Sequence, residues 1–292
     1  MRILKELHAI MQLTRLCEYI GSVTIVTALG VLTNVSGHTL TFLPVLALFA
    51  MNVLNFAFSF MINDIEDADN DSLDTAKVNR NPVSAGRIRV HRAYFYTLVC
   101  GLASASISLL LGWQVLLINT VSLALGFAYS WRKVRLKSYP IVDLVSHALF
   151  LGTLQFLSAV FVANSSPPAL LVMWGALSIF GISVIGDLRN ELRDFAVDHK
   201  VGLTNTAQLL RLDKYERYFA HIEIVPATSC LLYLLVATPA IAIPLALACG
   251  IVFLVGYTAS RLLRYPLQFT YSHQEIFLSL LGGTFILWKL LF

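Results

Sequence analysis

Long apolar runs broken by short polar segments organise this chain. The runs fall at about 17–35, 39–62, 94–112, 114–130, 141–163, 167–186, 219–238, 240–259 and 274–292. Each is close to the roughly 20 mostly apolar residues that an α-helix needs to cross a bilayer. None alternates with period two, which argues against a transmembrane barrel. The pattern predicts an all-α, polytopic membrane protein with about nine crossings, residues 1–292 forming a single integral-membrane domain. The segment ahead of the first run, residues 1–16, carries Arg2, Lys5 and Arg15. It reads as an interfacial helix leading into the first crossing. It lacks the early apolar stretch and small-residue cleavage site of a signal peptide.

Composition supports the same class. Of 292 residues, 57% are apolar and 13% charged, about half the charged share of a soluble domain. The mean hydropathy is +0.73. These values exclude a disordered chain, a nucleic-acid-binding module and an ordinary soluble globule. Cys17, Cys100, Cys230 and Cys249 lie in or beside apolar runs with no CxxC spacing. They read as small core residues rather than disulfide or metal partners. The net charge of +4 gains meaning once placed along the chain. All of the 21 Lys and Arg except Lys289 lie in the N-terminal segment or in the loops after the second, fourth, sixth and eighth runs. The breaks at 36–38, 113, 164–166 and 239 carry none. By the positive-inside rule, the N-terminus and these four loops face the cytoplasm and the C-terminus lies across the membrane. In a bacterium this is the inner membrane.

The carboxylates are concentrated as well. Six fall within residues 64–74: Asp64, Glu66, Asp67, Asp69, Asp71 and Asp74. If the second run continues as helix, Asn63, Asp67 and Asp71 stack on one face, with Asp64 beside them. Such stacking is repulsive unless a cation sits among the groups. Asn190, Glu191, Asp194 and Asp198 repeat the arrangement after the sixth run. Both segments fit N-[DE]-x-x-D-x-x-x-D, displaced by 127 residues at every position. A recurrence at equivalent places points to two halves of one site. Oxygen-only ligands at this density suit a hard divalent ion, Mg²⁺ or Ca²⁺. Mg²⁺ takes one or two carboxylates and completes its shell with phosphate and water, so two facing sets imply two or more Mg²⁺ ions and a diphosphate-bearing ligand. Lys77, Arg80 and Arg87 follow the first cluster. Arg193 and Lys200 accompany the second. Arg132, Lys133, Arg135 and Lys137 follow Tyr129-Ser130. Arg80 and Lys137 are the expected diphosphate contacts, one bidentate and one a mobile point charge.

These motifs resemble those of the UbiA superfamily of intramembrane prenyltransferases. Asn63-Asp64-x-x-Asp67-x-x-x-Asp71, then Arg80-Asn81-Pro82-x-Ser84-x-Gly86, is similar to the first signature. Tyr129-Ser130 with Leu136-Lys137 resembles the middle motif. Asp194-x-x-x-Asp198, then Gly202-x-Thr204, resembles the second aspartate-rich signature. The chain departs in three places. Trp131 and Arg132 follow Tyr-Ser where prolines are common. Thr204-Asn205-Thr206 replaces Thr-Leu-Pro. Ser84-Ala85-Gly86 stands for Pro-Ser-Gly. The resemblance implies about nine helices around a central cavity with cytoplasmic-side caps. It implies Mg²⁺ held by Asp64, Asp67, Asp71, Asp194 and Asp198, with Asn63, Lys77, Arg80, Lys137, Asn190 and Lys200 around a polyprenyl diphosphate. Asp67 and Asp194 would be catalytic through the metal, Glu191 the base, and Tyr129 a shield for the allylic cation. Phe60, Phe127 and Trp131 are further candidates to shelter that cation. Arg15 would hold an acceptor carboxylate or anchor the helix end.

Other polar residues are read as structural. Asp143 is expected to cap a helix or pair with a loop Arg, and Asp187 to support the second motif. His147 and His221 are expected as buried polar groups within reach of an acceptor. Gly282-Gly283 suggests close helix packing. The expected activity is Mg²⁺-dependent transfer of a prenyl group to a lipophilic or aromatic acceptor within the bilayer. Alternatives on the same scaffold are phosphoribosyl transfer to a polyprenyl phosphate and terpene cyclisation. An ion-coupled transporter is more distant, because the carboxylates gather at one face rather than at the midplane. CDP-alcohol phosphotransferases carry D-G-x-x-A-R, which this chain lacks. No nucleic-acid or obligate protein partner is expected.

Overall fold

Backbone polar groups in a bilayer must bond within their own segment, so spanning runs without strand periodicity fold as helices. A computed structural model describes residues 2–33, 40–73, 75–163, 167–200, 202, 204–214, 219–237 and 271–291, and among these every regular element is helical. Helix α1 (Arg2–Thr14) is amphipathic: Ala9 and Leu13 are buried, while Leu4, Leu7 and Met11 are exposed. The chain turns at Arg15, in the left-handed region with φ 53°, and a short turn at Leu16–Glu18 leads into α2 (Ile20–Val31). Helix α3 (Phe42–Glu66) has Pro44 in its first turn, where a missing N–H leaves no intrahelical bond unmade. Two short helices follow, α4 (Ala68–Asp71) and α5 (Thr75–Arg80). Helices α6 (Val90–Leu111) and α7 (Trp113–Ser130) are joined by Gly112 alone, at φ 125° and ψ 161°, a conformation only glycine adopts easily. Helix α8 (Val142–Ala148) runs through a π turn at Leu149–Thr153 into α9 (Leu154–Ala163). The remaining helices are α10 (Ala169–Lys200), α11 (Thr206–Leu210), α12 (Phe219–Ala237) and α13 (Tyr271–Leu291).

Five of the described segments are long and apolar enough to cross a membrane: α3, α6, α7, α8–α9 as one span, and Ala169–Phe195 of α10. Ile20–Val31, Ile224–Ala237 and Ile276–Leu291 are shorter apolar stretches. Eight of the nine predicted runs coincide with described helices, and the run at 240–259 lies outside the described residues. The boundaries differ at the polar end of the bundle. Helix α10 continues to Lys200, well past the predicted end of its run at 186. Hydropathy marks where lipid stops, and this helix goes on into polar surroundings.

The helices pack with an inverted polarity. On α6, Phe95, Leu98, Leu102 and Leu109 are exposed, whereas Thr97, Gly101, Ser104 and Ser108 are buried. Lipid rewards the apolar face, and small residues let neighbouring backbones approach. The buried polar groups satisfy one another. Asn55 on α3 donates to Asn119 Oδ1 on α7 at 2.7 Å, and Asn119 donates to Ser104 Oγ on α6 at 3.0 Å. Ser122 donates to the Phe150 carbonyl in the π turn at 3.0 Å. Each such interhelical bond contributes about 0.6 kcal/mol in a membrane, and together they fix the register of four helices. Helix α3 packs against α6, α2 against α13 and α9, and α10 against α12.

Candidate active site

Both aspartate-rich motifs face one cavity of about 220 Å³ at the polar end of the bundle. The first motif lies where α3 ends. Its hydrogen-bond ladder carries across the break at Asp67: Asp67 N donates to the Asn63 carbonyl at 3.0 Å, and Asp71 N to the Asp67 carbonyl at 2.8 Å. Asn63, Asp67 and Asp71 therefore follow one another as the sequence predicts, and all three line the cavity. Asn190, Glu191 and Asp194 line it from α10. The side chains of Asp198 and Lys200 lie outside the described residues, as does Asp74.

The middle motif completes the wall. Ser130, at the end of α7, donates to Asn63 Oδ1 at 3.1 Å. Lys137 Nζ donates to Asn63 Oδ1 at 2.8 Å and forms an ion pair with Asp67 Oδ2. Arg135 Nη2 lies 3.1 Å from Asp67 Oδ1. Burial disfavours the Asp67 charge, but Lys137 and Arg135 outweigh it and hold this carboxyl below its ordinary pKa. Lys77, on α5, reaches across to Asp194 Oδ2 at 3.5 Å and so joins the two motifs. Arg80 lines the cavity, and its Nε is buried without a hydrogen-bond partner among the described residues.

Arg15 approaches from the α1–α2 turn. Its guanidinium pairs with Glu18, lies 3.5 Å from Asp64 Oδ1, and stacks 4.6 Å over the Phe60 ring. Burial works against the charges of Arg15 and Glu18. Their mutual bond prevails, raising the Arg15 pKa and lowering that of Glu18, with Asp64 adding to the rise. Asp64 sits behind the lining, fully buried, and neither carboxylate oxygen has a hydrogen-bond partner. Among the described residues, no three His, Cys, Asp or Glu side chains converge to hold a metal; Lys and Arg stand between the carboxylates instead. The donor set still fits a hard divalent cation. It is all oxygen, and the adjoining Asp64 is a buried carboxylate that has an ion pair with Arg15 but no hydrogen bond among the described residues.

Several expectations need correction. Glu66 belongs to the acidic cluster in sequence but turns away from the cavity. It accepts from Tyr94 Oη at 2.5 Å and from Arg132 N and Nε at 3.1 and 3.0 Å. Phe127 and Trp131 pack against each other as a tilted pair, with centroids 5.0 Å apart, and do not line the cavity, whereas Phe60 and Tyr129 do. Glu191, expected as the base, lines the cavity with Asn190 and Asp194, and it also accepts from Ala207 N at 2.8 Å, tying α11 to α10. Asp143 pairs with no loop Arg among the described residues; it accepts from Thr206 N and Oγ1 at 2.7 and 2.6 Å, at the start of α11, and from Leu144 N at 2.7 Å. The side chain of His221 lies outside the described residues. His147 and Asp187 line the cavity, and the sequence did not reveal that their side chains meet there.

The fold and this site define an integral membrane protein with a charged reaction chamber at one end of a helical bundle. The profile of the UbiA prenyltransferase family matches residues 23–281, and the chain belongs to that family; it is a prenyltransferase. It is similar to the digeranylgeranylglyceryl phosphate synthase of Sulfurisphaera tokodaii, 29% identical over 208 residues that cover 69% of this chain and 72% of that protein. Its fold is that of a UbiA homolog from Archaeoglobus fulgidus solved with GPP and Mg²⁺, with a TM-score of 0.75, 18% identity, and coverage of 97% and 100% of the two chains. An apo UbiA homolog from Aeropyrum pernix K1 aligns with a TM-score of 0.69 and 15% identity over 92% and 96%.

Proposed function

We propose that the protein binds a polyprenyl diphosphate with Mg²⁺ in this cavity and transfers the prenyl group to a lipophilic acceptor, releasing diphosphate. The observation that carries the reading is the facing of two repeated carboxylate motifs across one cation-lined chamber, bridged by Lys77 and Asp194. The Sulfurisphaera tokodaii relative is named for making a glyceryl phosphate that bears prenyl groups, which favours a lipid acceptor over an aromatic one. Asp64, Asp67, Asp71, Asp194 and Asp198 would hold Mg²⁺, which when bound would supply neutralising charge for the departing diphosphate. Arg80, Lys77, Lys137 and Lys200 bind its oxygens, and Asn63 and Asn190 orient the cations beside them. The allylic C–O bond breaks with its electron pair leaving on diphosphate. The Phe60 and Tyr129 ring faces stabilise the resulting carbocation, and the apolar bundle keeps water from it. Arg15 anchors an anionic group of the acceptor. The chain acts as one integral-membrane domain with this chamber on the cytoplasmic side.

The test is direct. Purified protein is incubated with labelled prenyl diphosphates and a panel of acceptors. Diphosphate release is expected to require Mg²⁺ and to stop on chelation. Asp67→Ala and Asp194→Ala should each lower it by about a hundredfold or more, the scale of losing a key electrostatic stabiliser. Full activity in either folded variant would refute the two-motif site.

A further inference from the structure

Three side chains of the chamber wall stand apart from the cation-paired carboxylates. Asp187 on α10, His147 on α8 and Tyr129 on α7 all line the cavity. His147 Nε2 lies 3.6 Å from Asp187 Oδ1, and Tyr129 Oη donates to Asp187 Oδ2 at 3.5 Å. His147 Nδ1 lies 3.4 Å from Ser183 Oγ, one helical turn before Asp187. The π turn that follows His147 brings Phe150 and Leu151 to the same wall. The Phe150 ring centroid is 5.2 Å from that of Tyr129 and 5.8 Å from that of His147. Such turns recur at functional sites because they re-aim side chains that a regular helix would point elsewhere.

Resting on the transferase reading, we infer that Asp187 is the base that takes the proton of a hydroxyl acceptor, positioned by His147 and Tyr129. A transfer that joins the acceptor oxygen to the prenyl carbon must shed one proton. The C–O bond to diphosphate breaks with its electron pair on diphosphate. The acceptor oxygen bonds to the allylic carbon, and its proton passes to a carboxylate oxygen of Asp187. Geometry selects Asp187 over its neighbours. Asp67 is held by Lys137 and Arg135, and Asp194 by Lys77. Glu191 commits Oε2 to the Ala207 amide. The Asp187 contacts are all long, and each carboxylate oxygen has two lone pairs, so room remains for a hydroxyl donor. The groups it touches are the Tyr129 hydroxyl and the His147 imidazole, and the adjacent wall is aromatic, so an uncharged O–H group fits beside it. Tyr129 and His147 each contact a different oxygen of the carboxylate, and all three side chains line the chamber.

The test measures two quantities on the full-length protein with Mg²⁺, a labelled prenyl diphosphate and a hydroxyl-bearing lipid acceptor. One is total diphosphate released. The other is prenylated acceptor formed per diphosphate released. In Asp187→Asn the second is expected to fall about a hundredfold, the lower end of general-base effects, with prenyl alcohol from water making up the difference. His147→Gln should lower the same ratio more mildly. An unchanged ratio in Asp187→Asn overturns the inference. So does a parallel fall of both quantities while prenyl diphosphate still binds, because Asp187 would then act on ionisation. If Asp187→Asn loses its unfolding transition in detergent, His147→Gln and Tyr129→Phe decide, and an unchanged ratio in both overturns the assignment. A wild type that releases no diphosphate under any condition sinks the parent reading instead.

Discussion

Asn81 shows how a motif residue without obvious chemistry can hold a site together. It is fully buried in the loop after α5. Its Nδ2 donates to the Asp64 carbonyl at 2.7 Å and to Asp71 Oδ2 at 2.9 Å, and its Oδ1 accepts from Val83 N at 3.0 Å. Ser84 adds a bond to the Ala68 carbonyl at 2.8 Å, and Gly86 turns the chain at φ 66°. The stretch Arg80-Asn81-Pro82-x-Ser84-x-Gly86 therefore staples its loop to the end of α3 and sets the angle at which Arg80 enters the chamber. Asn81→Ala strands a carboxylate oxygen, a carbonyl and an amide. Each buried unmade bond costs about 1–3 kcal/mol. The expected result is a loss of about 2 kcal/mol or more, seen as an unfolding midpoint several degrees lower in detergent. A midpoint equal to that of the wild type would show that water replaces the staple. Asn81→Asp should do no better, because it sets a second carboxylate against Asp71.

Among the elements, Gly282 and Gly283 on α13 separate a packing role from a neutral one. A Cβ on Gly282 would meet the α2 backbone, 2.8 Å from Ile25 N and 2.8 Å from Thr24 C, whereas a Cβ on Gly283 would touch nothing within 4 Å. Gly282→Ala is expected to pry α13 from α2 and lower thermal stability. Gly283→Ala should be neutral or stabilising by up to about 1 kcal/mol, the helix-propensity gain. Equal effects would contradict the close approach. The sequence pair Gly-Gly indicated tight packing but not which residue makes it, since that depends on helix rotation. The same division runs through the fold. Runs at 39–62, 94–112, 114–130 and 141–163 were legible because lipid selects apolar composition over a fixed length. The carboxylate motifs were legible because repetition 127 residues apart has no simple alternative. The π turn left no trace, because a shift in hydrogen-bond register does not alter hydropathy. Nor did the meeting of His147 with Asp187, because two single polar residues on separate apolar runs look alike whether they touch or not. Glu66 misled for the converse reason. It sits inside a motif in sequence, yet its place on the helix turns it toward Tyr94 and Arg132.

At the scale of the molecule, the placement of charge links fold to proposed function. The cations described around the site, from Arg15 to Lys137 and Arg193, gather at the end of the bundle that holds the chamber. The link between α6 and α7 at the other end is Gly112 beside exposed Trp113, without a basic residue. A diphosphate is too charged to cross lipid, so it must reach the chamber from the aqueous face that holds these cations. The hydrocarbon tail of the proposed substrate would instead favour apolar surroundings, where burial of each CH₂ contributes about 0.8 kcal/mol. On the proposed orientation, which follows the positive-inside rule, the chamber opens to the cytoplasm. Single cysteines in a background with Cys17, Cys100, Cys230 and Cys249 replaced test this. Lys133→Cys marks the chamber end and Trp113→Cys the other, both at exposed positions. A membrane-impermeant maleimide should label Lys133→Cys only in inside-out vesicles and Trp113→Cys only in right-side-out ones. The reverse pattern would place the chamber outside and require the prenyl diphosphate to be supplied there. Labelling of both from one side would refute the crossing of α7.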